Sequence, residues 1–188
     1  MREETNEIRN YAIYSDDEKH RYVLCRIWDD KKPIPLFISK MSGIADGIYL
    51  ELTNSLITNN LYTLGYGGYY TVNLCSGIHG KTEKLADEET DKYIAEYAKK
   101  ASEIIISWGN LTRNDLKERE KKVLKLLKAS KKKVLAVTDT NGKENVHILT
   151  PNVRNGFSLV KVNVKELLAL TEKKTEKTEN SNTTEESK

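Results

Sequence analysis

The sequence predicts an α/β fold: a three-layer α/β/α sandwich around a mainly parallel sheet. Short β-forming runs alternate along the chain with amphipathic helical stretches, the order expected of a largely parallel sheet. One run, Glu103-Ile104-Ile105-Ile106-Ser107, is almost continuously apolar, as a strand covered on both faces should be. Loops bearing Gly, Asp and His follow several of the strands.

Arg21–Trp28 and Ile34–Ile38 are two β-rich runs joined by the polar turn DDKKP. Two prolines set the second strand near an edge or its beginning. Lys40–Leu52 is a loop. Leu52, Leu56, Ile57, Leu61 and Leu64 recur at helical spacing, with Thr53 as N-cap. Gly65-Tyr66-Gly67-Gly68 stops that helix; it precedes a strand and lacks the Lys-Ser/Thr of a phosphate loop. Tyr69–Leu74 is the next strand, with Cys75–Lys81 its flexible exit. Asp87–Ala101 is a helix with Asp87, Glu88 and Glu89 in its favourable first turn. Thr112–Ala129 follows, with Thr112 and Asp115 placed as a capping box. Val134–Thr138 and Phe157–Val162 read as strands and Val164–Leu170 as a closing helix.

Residues 1–10 are an N-terminal extension, 11–170 one domain, and 171–188 a polar tail. That tail has no Leu, Ile, Val, Phe, Tyr or Trp, so burial cannot offset its ordering entropy and disorder is expected. Cys25 and Cys75 sit in or beside apolar runs without a CxxC or Cys/His pattern. Buried free thiols in a reducing cytoplasm are therefore expected, with no metal and no cofactor. No signal-type segment or membrane-length apolar run is present.

In a parallel sheet ligands gather outside the carboxyl ends of the strands. Those ends deliver Asp46, Asn73, His79, Trp108, Gly109 and His147. Asp46 and His147 suit acid/base roles; His79 and the Trp108 ring suit ligand contact. His20, just before the first strand, reads as a surface residue. A net charge of +3 does not announce a nucleic-acid binder. Ten Lys/Arg against three acids between Asn110 and Lys133 nevertheless concentrate charge on one helix. Lys121, Lys122, Lys125 and Lys128 there are either a solvated face or a phosphate-contact surface.

Several segments together resemble a bacterial and phage family known as domain of unknown function 1643. They are Ala12-Ile13-Tyr14-Ser15, Arg21–Trp28, Phe37-Ile38, Ala45-Asp46, Thr53, Gly65–Gly68, Asn73-Leu74, Trp108-Gly109, Gly142 and His147. They follow the family's order over roughly residues 11–150. Where the family reads Asn-Pro-Ser-Thr-Ala-Asp, this chain has Met41-Ser42-Gly43-Ile44-Ala45-Asp46. Its late His-Pro-Leu is His147-Ile148-Leu149 here. The pairing of an early strand-end loop with a late His loop also looks like uracil-DNA glycosylase. That likeness implies a glycosylase-like fold with Met41 where a water-positioning side chain should stand, and a thioether cannot orient or deprotonate water. The resemblance thus implies a phage or mobile-element accessory protein binding DNA, RNA or a nucleotide, its catalysis impaired. An active hydrolase on a nucleobase or nucleotide, and a module engaging a host protein, are the alternatives.

Overall fold

The computed structural model describes residues 1–46, 48–78, 81–154 and 156–172. Seven strands form one sheet: β1 (Arg9–Tyr14), β2 (Arg21–Ile27), β3 (Leu36–Met41), β4 (Gly68–Cys75), β5 (Ile104–Ile106), β6 (Val134–Thr138) and β7 (Ser158–Lys161). Four helices join them: α1 (Leu52–Thr63), α2 (Glu88–Lys100), α3 (Asn114–Ser130) and the single turn α4 (Pro151–Arg154). A fifth, α5, is helical over residues 164–172.

The strand order is β1-β2-β4-β3-β5-β6-β7. The four inner strands β4, β3, β5 and β6 run parallel. β1, β2 and β7 are added antiparallel at the two flanks, so the sheet is mixed, which corrects the mainly parallel expectation. Hairpin-like neighbours need no crossover helix, and a run such as Arg21–Trp28 carries no mark of its direction.

Side chains alternate between two apolar layers. Leu36, Ile38, Ile104, Ile106, Val134 and Ala136 point to the face covered by α2 and α3. Phe37, Ile105, Leu135 and Val137 point to the face carrying Ile57 and Leu61 of α1 and Val153 of α4. Helices on both faces explain why Ile104–Ile106 is apolar throughout.

Other expectations needed adjustment. Arg9 and Asn10, assigned to the extension, begin the edge strand β1. Thr171 and Glu172, assigned to the tail, still belong to α5, where the Thr171 hydroxyl donates to Leu167 O at 2.9 Å. Residues 173–188 lie outside the described residues. α1 starts one residue before Thr53, with Glu51 as N-cap and no side-chain cap bond. α3 starts after Arg113, whose side chain makes no cap bond either, so Thr112 and Asp115 form no capping box. The capping box belongs to α2: Thr90 N donates to Asp87 Oδ1 at 2.9 Å and Asp87 N donates to Thr90 Oγ1 at 3.1 Å.

This chain order positions the site. From β3 the chain crosses to β4 through α1 on one face. From β4 it returns past β3 to β5 through α2 on the other. The exits of β3 and β5 therefore diverge to opposite faces and leave a crevice between neighbouring carboxyl ends, the place where open α/β sheets bind ligands.

Candidate functional site

The β5 side of the crevice is built on Ser107. Its N–H donates to Ile38 O at 2.9 Å and its hydroxyl to Val146 O at 2.7 Å. Trp108 N donates to Asn145 Oδ1 at 3.1 Å. These bonds dock the 145–147 segment onto the strand exit. Gly109 follows with φ of +72°, and a Cβ there would lie 3.0 Å from His147 Cβ. Positive φ and close approach together require glycine. Leu149 N donates to His147 Nδ1 at 3.2 Å, which leaves the neutral ring's proton on Nε2 as a donor. Burial lowers the imidazole pKa below its ordinary value, and the Lys40 charge lowers it further.

The β3 side turns on Ser42. Ser42 N donates to Cys75 O at 3.0 Å, and its hydroxyl donates to Arg21 O at 3.0 Å. Asn73 Nδ2 donates to the same hydroxyl at 2.9 Å. The buried Arg21 guanidinium donates to Ala45 O, and Tyr14 OH reaches that carbonyl at 3.4 Å. Asp46 is exposed and accepts from Ile48 N at 2.6 Å and Tyr49 N at 2.7 Å, bonds that hold its carboxyl below the usual range. Such a turn-forming Asp is bonded to its own loop. Among the described residues no hydrogen bond or ion pair joins it to His147.

Beyond the ends of β3 and β4 lies a cleft of about 750 Å³, lined by Met41, Gly77, Lys81, Thr82, Lys84 and Arg113, among others. Gly77 N donates to Leu85 O at 3.1 Å, folding the 81–85 segment back over the strand exit. Three cations and one acid, Glu83, line it; of the cations, Arg113 pairs with Asp115 and Lys81 with Glu18 at 3.7 Å.

The sequence-chosen residues do not all converge. Gly109 meets His147, and Asn73 reaches the β3 loop through Ser42. Trp108 is 1% exposed and its Nε1 donates to Glu120 at 2.8 Å, so the ring is core and offers no stacking surface. Thr53 is half-buried in the first turn of α1. His79 lies outside the described residues. Lys121, Lys122 and Lys125 share a groove with Asp87, Glu88, Asp115 and Glu118; Lys122 pairs with Asp91, and Lys128 is exposed. Cys25 and Cys75 are free and buried, as expected. Among the described residues no cluster of three or more His, Cys, Asp or Glu could hold a metal, and no helix is long and apolar enough to cross a membrane.

His20 is a correction. It is 5% exposed, with Nδ1 2.8 Å from Ser76 Oγ and Nε2 3.9 Å from Asp87 Oδ2. Ser76 Oγ is also 2.6 Å from Thr90 Oγ1, and Tyr22 OH donates to Asp87 at 2.8 Å. A Ser-His-Asp set is present, yet Ser76 is 1% exposed. The network clamps the β4 exit to the start of α2. Between Lys19 and Arg21, nothing in the sequence marks His20 as buried.

No curated protein and no solved structure matches the chain. A family model described as "Protein of unknown function (DUF1643)" matches residues 21–149, a span from the first residue of β2 to the His147 segment. With well over half its length matched, the chain belongs to the DUF1643 family.

Proposed function

We propose that the protein binds a nucleotide or nucleic acid through its phosphates in the cleft beyond β3 and β4, without hydrolysing it there. The cleft's Lys81, Lys84 and Arg113 at a strand-exit crevice carry this reading. Met41, 39% exposed at the end of β3, supports binding without water activation, since a thioether cannot deprotonate water. The glycosylase-like comparison is part of the same reading. It draws support from Ser107, whose hydrogen bonds to Ile38 O and Val146 O bring the β3 end and the His147 loop together at the crevice.

Fluorescence anisotropy with labelled single-stranded DNA and a labelled nucleotide, from roughly 50 to 200 mM salt, tests it. Binding should weaken steeply with salt and fall in Lys81→Glu/Lys84→Glu. A loss confined to Lys121→Ala/Lys125→Ala/Lys128→Ala would move the contact to α3. No binding at the lowest salt would end the proposal.

A hydrolase acting on a nucleobase or nucleotide is the second reading. The neutral His147 beside Gly109, its Nε2–H able to polarise a leaving group, favours it. Turnover by wild type and not by His147→Ala, read by mass spectrometry on a nucleotide panel, would establish it; equal turnover would refute the role.

A further inference from the structure

A hollow of about 330 Å³ adjoins the cleft, with Lys81 as a wall common to both. Tyr14, Glu18, Ile44, Asp46 and Ile78 line the rest of it, with Gly43. Three loops that leave the same end of the sheet build it, those following β1, β3 and β4. Ile78 N donates to Lys19 O at 2.9 Å, which joins the third loop to the first. Ala45 O accepts from both the Arg21 guanidinium and Tyr14 OH, which joins the second to the first. Tyr14 and the buried Ile78 supply apolar wall, and Ile44, 65% exposed, stands at the rim. Apolar wall with a few polar groups is the usual make-up of a small-molecule site.

Charge divides along Lys81. Glu18 and Asp46 are the acids of the hollow, and the Glu51 carboxylate packs against Gly43, where a Cβ would collide with it. Lys81 pairs with Glu18 at 3.7 Å, and the buried Arg21 has Glu51 and Asp46 nearby. In the cleft Arg113 is paired with Asp115, and Lys84 has no ion pair among the described residues. The acid-rich hollow therefore suits groups that donate hydrogen bonds, and the Lys84 side of the cleft suits an anionic group. Asp46 narrows the donor further. Both bonds it accepts, from Ile48 N and Tyr49 N, end on Oδ1. A carboxylate oxygen has two acceptor positions, so Oδ1 is filled, and among the described residues no donor reaches Oδ2. One open oxygen matches a single hydroxyl, whereas a pair of parallel donors needs both oxygens.

We propose that the hollow holds the nucleoside end of a ribonucleoside monophosphate whose phosphate lies in the cleft, with Asp46 Oδ2 accepting from the ribose 2′-hydroxyl. This rests on the nucleotide reading given above and sharpens it from nucleotides at large to ribonucleotides. Tyr14, Ile44 and Ile78 cover the base, and Lys81 stands between the two ends of the ligand. A carboxylate that accepts from a ribose hydroxyl is a recurring device in open α/β sheets.

Calorimetry on the full chain with adenosine 5′-monophosphate, its 2′-deoxy analogue and inorganic phosphate tests the assignment. The ribonucleotide should bind at least about tenfold tighter than the deoxynucleotide, the effect of one hydrogen bond to a charged acceptor. Both should bind tighter than phosphate. Asp46→Asn keeps an Oδ1 for the Ile48 and Tyr49 N–H groups and replaces the charged Oδ2. It should cut the ribonucleotide's advantage to about threefold, because a neutral bond is roughly half as strong, and leave the deoxynucleotide unchanged. Ile44→Ser, at an exposed position, should weaken both nucleotides alike and leave phosphate as it was. Equal affinity for the two nucleotides would overturn the assignment; if both are then lost in Lys84→Glu, the cleft reading stands without it. An undiminished preference in Asp46→Asn would overturn it as well. No nucleotide binding at the lowest salt would end both readings.

Discussion

The Asn73 side-chain amide donates to Ser42 Oγ at 2.9 Å and ties the last turn of β4 to the first residue beyond β3. Ser42 passes the tie on to the Arg21 carbonyl. Three chain segments distant in sequence are thus fastened at one hydroxyl, which fixes where the Gly43–Asp46 loop leaves the sheet. Asn73→Ala should cost about 1–3 kcal/mol, because it strands a buried hydrogen-bonding group. Urea unfolding measures this, and ligand affinity in the cleft should fall with it as the loop shifts.

His147 makes stability pH-dependent. Its folded-state pKa is depressed by burial and by Lys40, so the folded protein resists protonation more than the unfolded chain does. The contribution is complete above the unfolded value of about 6.5 and is lost as pH falls from there through the folded value. Urea midpoints between pH 8 and 5 should therefore drop on the acid side, less so in His147→Gln. Lys40→Gln should move the imidazole midpoint upward in an NMR titration.

Gly109→Ala places a Cβ on a left-handed backbone and against His147. A cost of at least about 1–2 kcal/mol is expected from the backbone alone. The His147 ring should also turn, visible as a changed imidazole chemical shift; an unchanged stability and shift would show that the contact is dispensable.

Trp108→Ala should cost about 3–5 kcal/mol, the range for emptying a large buried aromatic. Ligand in the cleft should leave Trp108 fluorescence unquenched, because the ring is enclosed. Quenching on binding in a Trp28→Phe background would contradict the enclosed position.

The parts legible in the sequence were those encoded by periodicity. Ile104–Ile106, Val134–Thr138, α2 and α3 announce themselves through unbroken apolar runs or an inner stripe such as Leu116, Val123, Leu124 and Leu127. Strand direction is not so encoded, which is why β2 reads the same whether it pairs parallel or antiparallel. β1 was hidden because its first two residues, Arg9 and Asn10, are exposed at a sheet edge. At the site, strand-exit logic singled out Gly109 and His147, which the structure places side by side. It could not foresee Trp108 folding inward to Glu120, nor the burial of His20, since both depend on partners far away in sequence. Arg26 is buried within the run YVLCRIW, and nothing in that run marks it as interior.

α1 rests on a sheet face that carries the buried polar residues Ser39, Thr71 and Asn73 beside Tyr69, and two of its own four buried residues are asparagines, Asn54 and Asn60. The four buried residues of α3 are all aliphatic. Apolar burial anchors α1 mainly through Ile57 and Leu61, so its local opening free energy should be the smaller of the two. Amide protons of α1 should exchange with solvent sooner than those of α3. The helix that roofs the polar layer is thereby also the part of the molecule that breathes, opening it to solvent without unfolding the rest.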